Sequence, residues 1–262
     1  MIPAPDLAAS SPRPMAQIGG LMVETLNLRQ TAQALVAYCG SAARAGASRP
    51  LYSTSVNGQV LSLCAADPSF AQLLREADSI NPDGQPLVLM SKLLCRHPLP
   101  ERVATTDLFP EIAALASSAR LSFYLLGGAQ EINARVSAVL RRDYPQLRLL
   151  GARHGYFSRQ DEPQICAEIA ALKPDFLWVG LGVPLEQEFC ARNLQALGGV
   201  GVVKTAGGLF DFIAGAKPRA PLWMQRLGLE WLFRLAQEPR RLFVRYALTN
   251  PHALLIMLRT MR

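Results

Sequence analysis

The stretch ADSINPDGQPLV, residues 77–88, carries a carboxylate, Asp83, between Pro82 and Gly84. Asn, Pro, Asp and Gly in succession mark a turn between two apolar runs, so this carboxylate is expected on a turn and not in a core. Such an Asp is either a solvated turn residue or a proton acceptor, and the stretch alone leaves both readings open. A second kind of chemistry is suggested by glycine. Gly127 and Gly128 follow FYLL, Gly180 and Gly182 follow FLWV, and Gly207 and Gly208 follow VVKTA. Glycine lets backbone come close to a ligand, and helix N-termini after such turns attract phosphate. Tight turns use glycine anyway, but three such turns together predict an anion-binding rim. There is no G-x-x-x-x-G-K-[ST] and no strict G-x-G-x-x-G, so neither a P-loop nor the dinucleotide fingerprint is present.

The elements that must position these residues read as alternating strands and helices. Strands are predicted at 51–56, 121–128, from 147, at 175–184 and at 201–208. Helical patterns lie near 28–45, 68–77, 86–95, 107–119, 130–142, 160–172 and 186–197. That alternation predicts parallel α/β layers, and such sheets bind ligands beyond the carboxyl ends of their strands. The glycine turns fall at those ends.

Charge divides the 262 residues unevenly. Residues 1–216 hold eighteen basic and eighteen acidic residues, whereas 217–262 hold nine basic residues against Glu230 and Glu238, which accounts for the whole net charge of +7. A neutral body with a basic tail points to an anionic surface or substrate met by the tail. Five scattered cysteines form no CxxC pair, which fits reduced core residues and suggests neither zinc nor a redox motif. Residues 1–17 are rich in Pro, Ala and Ser, lack the apolar run of a secretory signal, and are expected to be disordered. No apolar run approaches the roughly 20 residues that span a bilayer.

From residue 217 the texture is helical and amphipathic. Trp223, Leu227, Trp231 and Leu235 recur every four residues, and Arg226 and Arg234 fall on another stripe. Pro221 is expected to open a helix, Pro239 to break it and Pro251 to break it again. A helical hairpin packed on the body would explain the pattern. So would a segment lying in a lipid interface, with Leu254 to Leu258 as its apolar end.

Five segments in one order, ERVATTDLF, FYLLGG, GLGVPLEQE, AGGLFDFIAGAKPRAPLWMQ and LEWLFRLAQEPRRLFVRY, resemble the WecG/TagA/CpsF family of bacterial glycosyltransferases over about residues 18–250. The resemblance implies an inverting transfer of a sugar from a UDP-sugar to a polyprenyl-diphosphate-linked sugar at the cytoplasmic face of the inner membrane. It also implies a Rossmann-like body of the GT-E type, here 18–216, and a membrane-associating appendage, here 217–262. On the family pattern, Thr54, Asn57, Asp83-Gly84, Arg102 and Asp107 line the donor and acceptor cleft, with Thr105 where the family has Gly. The family's Pro-Lys-Gln-Glu reads Pro184-Leu185-Glu186-Gln187 here, so the nucleotide contact falls to Glu186 or Gln187. The segments STSVNGQV, DGQPLV and GGLFDF resemble the xanthan-type glucosyltransferase branch, which puts UDP-glucose first among expected donors and UDP-N-acetylmannosamine next.

An inverting transfer needs a base for the acceptor hydroxyl and positive charge or N–H groups for the departing UDP. Asp83 is the expected base. Asp107 is its rival, although its place in TTDLFPEI also fits a helix N-cap. His154 reads as a polar turn residue. Thr54 and Asn57 would orient the acceptor or simply close a turn. No D-x-D is present and no metal or other cofactor is expected, so Gly127, Gly128 and arginines must receive the diphosphate. Arg219, Arg234, Arg240, Arg241 and Arg245 are the candidates, because a guanidinium suits bidentate diphosphate contact; lipid head groups are the competing target. The runner-up function is a non-catalytic membrane-surface binding protein. Nucleic acid is not an expected partner, because the basic residues interleave with Trp and Leu at helical spacing and not with stacking aromatics. A homo-oligomer is compatible with the sequence.

Overall fold

The computed structural model describes residues 14–261. A hairpin comes first, β1 (Met15–Ile18) and β2 (Leu21–Glu24). Helices α1 (Leu28–Cys39) and α2 (Ala42–Ala45) lead to β3 (Leu51–Val56), then α3 (Gly58–Ala66), α4 (Pro68–Arg75) and β4 (Ser79–Pro82). Next come α5 (Gln85–Leu94), α6 (Thr105–Ser118), β5 (Ser122–Gly127), α7 (Gln130–Asp143) and β6 (Arg148–Arg153). The body closes with α8 (Glu162–Leu172), β7 (Phe176–Gly180), α9 (Leu185–Asn193), β8 (Val202–Thr205) and α10 (Leu209–Ile213). Three helices follow: α11 (Leu222–Arg226), α12 (Glu230–Gln237) and α13 (Pro239–Thr260).

Strands β3 to β8 form one parallel sheet in the order β4-β3-β8-β7-β5-β6. Of the inner strands, β5 and β7 are near-continuous apolar runs, as sheets covered on both faces favour. Their residues alternate between two cores. Phe123, Leu125, Phe176 and Trp178 face α1, α6 and α10. Tyr124, Leu126, Leu177 and Val179 face α8 and α9. Phe109 and Phe123 meet the Trp178 ring edge-on or tilted, at 4.7 and 5.7 Å between centroids. A third core joins β1, β2, α3, α4 and α5 to Met257 and Met261.

Several expectations change. The boundary expected at residue 17 falls inside β1, which starts at Met15; residues 1–13 of the expected tail lie outside the described residues. The helix expected over 28–45 starts at a capping box between Asn27 and Gln30 but stops at Gly40. Strand β4 carries Ser79, Asn81 and Pro82 and lacks a strand's usual composition. It holds because it is an edge strand, where Pro is tolerated, and because Glu24 of β2 accepts from Ser79 Oγ (2.8 Å) and Asn81 Nδ2 (3.3 Å).

The appendage differs most. Gly228, at φ 73°, separates α11 from α12, so the four-residue stripe from Trp223 to Leu235 is not one helix. Pro239 does separate α12 from α13. Pro251 breaks nothing: α13 runs through it, because Pro251 is exposed while Ala253, Ile256 and Met257 are buried against the body. Ala253 lies so near α3 that a Cβ on Gly58 would stand 3.3 Å from its own. The apolar end expected for lipid is therefore split. Ile256 and Met257 are buried, and Leu254, Leu255 and Leu258 are exposed.

Candidate active site

Because the sheet is parallel, all its carboxyl ends lie along one edge. Asp83 is the first residue beyond β4. Its N–H donates to Val56 O at 2.8 Å, which carries the β3–β4 pairing one step further. Val103 N–H donates to Pro82 O at 2.7 Å and so lays the segment before α6 along the same edge. The Thr105 N–H then reaches the Asp83 carboxylate. Asp83 is half-buried, not a solvated turn residue. Burial pushes its carboxyl above the usual range and Glu230 adds to this, while Arg102, Lys204 and the Thr105 N–H oppose it.

Thr54 and Asn57 are close by but already engaged. Thr54 is fully buried and shares a hydrogen bond with Thr205 of β8 (2.9 Å), so it ties two strand ends together. Asn57 caps α3, its Oδ1 accepting from Val60 N–H at 3.1 Å, and its Cβ would lie 3.8 Å from a Cβ at Gly84. His154 is half-buried and accepts from Tyr156 N–H within its own turn.

Arg102 and Asp107 meet the appendage. Arg102 donates to Glu230 (2.6 Å), Asp107 (3.0 Å) and Gln225 (2.9 Å). Arg219 donates to both oxygens of Asp107 and to Gln225 at 2.9 Å. Asp107 is thus not the N-cap of α6, which is Ala104; it stands in the first turn and holds two guanidinia that would otherwise repel. Arg219 Nε is buried without a hydrogen-bond partner. The other tail arginines lie elsewhere. Arg234 stacks 5.8 Å over Phe212, Arg241 pairs with Glu238, Arg245 lies 4.7 Å over Tyr246, and Arg240 is exposed.

The glycine turns divide into two kinds. A Cβ on Gly127 would lie 2.2 Å from Gly180 O, and Gly128 and Gly180 pack on Phe210. The Gly128 N–H is spent on Gly180 O (3.2 Å). Gly127 and Gly128 therefore serve close packing at the end of β5. Gly182, Gly207 and Gly208 have open space where a Cβ would point.

Here the protein supplies its own anion. Glu186, 3% exposed, accepts from Gly182 N–H (3.2 Å) and Gly207 N–H (2.8 Å) through one oxygen, and from Gln187 Nε2 (3.4 Å) through the other. Gln187 Oε1 is buried without a partner. Burial pushes the Glu186 carboxyl up to about 7, against those donors and Lys204. A carboxyl with a folded pKa above its ordinary 4.5 takes up a proton on folding. Stability then falls as pH rises from about 4.5 to about 7. Glu186→Gln is expected to flatten that fall and to gain on the order of 1–3 kcal/mol over the parent at pH 7.5 relative to pH 4.5. Urea midpoints at the two pH values check this.

Lys204 of β8 was not among the residues the sequence singled out. It is fully buried, and burial brings its ammonium down to about 8 although Asp83, Glu186 and Glu24 oppose this. Its Nζ donates to Ser55 Oγ at 2.9 Å. A lysine inside the strand run VVKT was the available signal, since a buried charge is costly unless it is paired. Glu230 and Gln225 were likewise visible only as parts of longer motifs. Among the described residues no group of three or more His, Cys, Asp or Glu stands close enough to hold a metal ion.

The sequence profile described as the glycosyl transferase WecG/TagA/CpsF family matches residues 17–262. An N-acetylglucosaminyldiphosphoundecaprenol N-acetyl-beta-D-mannosaminyltransferase of Bacillus subtilis (strain 168) is 32% identical over 188 residues, 72% of each chain. Enzymes of the same name are similar in Bacillus spizizenii, 34% identical over 67% of this chain and 66% of that one, and in Staphylococcus aureus (strain MW2), 27% identical over 73% and 74%. A profile covering nearly the whole chain, on a parallel sheet of this topology, makes the assignment plain: the chain belongs to the WecG/TagA/CpsF family and is a glycosyltransferase.

Proposed function

We propose that the chain transfers a sugar from a UDP-sugar to a sugar carried on polyprenyl diphosphate, with inversion, and that Asp83 is the general base. The observation that carries the reading is the half-buried Asp83 carboxylate at the strand edge, beside the point where body and appendage meet. A base there would take the proton of the acceptor hydroxyl as the oxygen attacks the anomeric carbon and UDP departs. The convergence of Arg102 and Arg219, and the unpartnered Arg219 Nε, support diphosphate binding at the same place. The relatives' names favour N-acetylmannosamine as the sugar moved and N-acetylglucosamine on the acceptor; the xanthan-like segments favour glucose. UDP release from UDP-glucose and UDP-N-acetylmannosamine, each with a short-chain lipid-diphosphate-sugar acceptor, decides between the donors. No acceptor-dependent release from either would favour a non-catalytic surface protein.

No metal is assigned to the departing UDP, because no D-x-D is present and the described carboxylates near the site are held by Arg102, Arg219 and backbone N–H groups. In the same assay, excess EDTA is expected to leave the rate unchanged. A loss of rate that Mn²⁺ restores would place a metal at the diphosphate.

The appendage is proposed as the membrane contact, at the cytoplasmic leaflet. No helix among the described residues is long and apolar enough to cross a membrane. Leu222, Trp223, Leu227, Phe243 and Leu248 are exposed beside Arg226, Arg240 and Arg241, which suits an interfacial helix set.

A further inference from the structure

Resting on the reading of Asp83 as the base, we infer that Lys204 is its positioning residue: a buried ammonium that holds the Asp83 carboxylate in place through Ser55 and Thr105. The connection runs through two side-chain hydrogen bonds and then the Thr105 backbone. Lys204 Nζ donates to Ser55 Oγ at 2.9 Å, and Ser55 Oγ shares a hydrogen bond with Thr105 Oγ1 at 3.3 Å. The Thr105 N–H reaches the Asp83 carboxylate. These residues come from three places: Lys204 from β8, Ser55 from the adjoining β3, and Thr105 from the first turn of α6. Lys204 and Ser53 are register partners in the parallel pair, which brings Ser55, two residues on along the same face, up to the Lys204 side chain.

Nothing in packing alone calls for a charge here. Val202 and Val203, the preceding β8 residues, sit in the two apolar cores, and a Met at 204 would fill the same space. A buried lysine loses its hydration and must be offset by partners. The groups that face it are Asp83 beyond β4, Glu186 and Cys190 of α9, and Glu24 of β2. Those that face Asp83 are Lys204, Arg102 before α6 and Glu230 of α12. Arg102 is committed to Glu230, Asp107 and Gln225, whereas Lys204 gives its resolved hydrogen bond to the Ser55 relay.

The test is the pH dependence of kcat/KM for UDP release with the short-chain acceptor, in the full chain. The parent enzyme is expected to lose activity above about pH 8, where Lys204 gives up its proton. In Lys204→Arg that alkaline limb moves to higher pH. In Lys204→Met kcat/KM at pH 7 falls roughly 10- to 100-fold, the scale of a displaced catalytic group. The acid limb of Lys204→Met also moves upward, because a cation that favours ionised Asp83 is gone. Repeating Lys204→Met in a Glu186→Gln background keeps the acid limb from being Glu186's own, and it should move there too. Ser55→Ala, which leaves the ammonium in place, covers the case in which Lys204→Met does not fold. It should lower kcat with KM little changed. A parent profile flat to pH 10, or Lys204→Met and Ser55→Ala profiles superimposable on the parent's, overturns the inference. If Asp83→Asn remains active, the base assignment itself fails. If Asp83→Asn is inactive while the Lys204 limbs do not move, only the role of Lys204 fails.

Discussion

Asp83→Asn is expected to lower kcat by roughly 10²–10⁴, the range for a lost general base, with UDP affinity little changed. The substitution keeps size and shape, so the Asp83 N–H to Val56 O bond and the Thr105 N–H contact are retained. What is lost is a proton acceptor at a position where burial already raises the carboxyl's proton affinity. A base works best when its pKa lies near the working pH, so the same burial that costs stability suits catalysis. Steady-state kinetics, with UDP affinity from calorimetry, separate the two quantities. An active Asp83→Asn enzyme would remove the base role from Asp83. Asp107 would be a poor successor, because both of its oxygens are taken by Arg102 and Arg219.

Replacing Trp223 and Phe243 together by Asp is expected to reduce sedimentation with anionic liposomes more than tenfold. Both are exposed, at 58% and 62%, so the change leaves the cores intact. Burying a large apolar side chain in the interface contributes on the order of 2 kcal/mol, and each added carboxylate meets an anionic leaflet unfavourably. Transfer to a short-chain acceptor free in solution should be spared. Transfer to a long-chain acceptor in vesicles should fall with binding. Truncation after Ala216 would be a poorer test. It removes Met257 and Met261 from the third core and Glu230 and Gln225 from Arg102, so it damages body and site together. Undiminished liposome binding by the double variant would mean that these residues do not meet lipid.

Local pattern carried a large part of this protein. Apolar runs ending in glycine mark β5, β7 and β8 as parallel strands, since burial on both faces favours such runs. The charge asymmetry and prolines set off 217–262, and Asp83 beside Gly84 marks a strand end. Each of these is a property of neighbouring residues. What only the tertiary structure decided joins residues far apart in the chain. Lys204 and Ser55 are separated by 149 positions, Arg219 and Asp107 by 112, and Gly207 and Glu186 by 21. No periodicity records such pairs. Strand β4 is legible only once Glu24 satisfies its Ser79 and Asn81. That Gly127 and Gly128 make room for Gly180 and Phe210 is visible only in space. Pro251 reads as a helix break until the buried face of α13 outweighs its lost N–H. The sequence determines which segments must be covered and where the chain turns, because those depend on local solvation and sterics. The tertiary structure decides which charges face one another and at what depth. Coulombic and desolvation energies depend on distance and burial in space, and the linear order of residues carries neither.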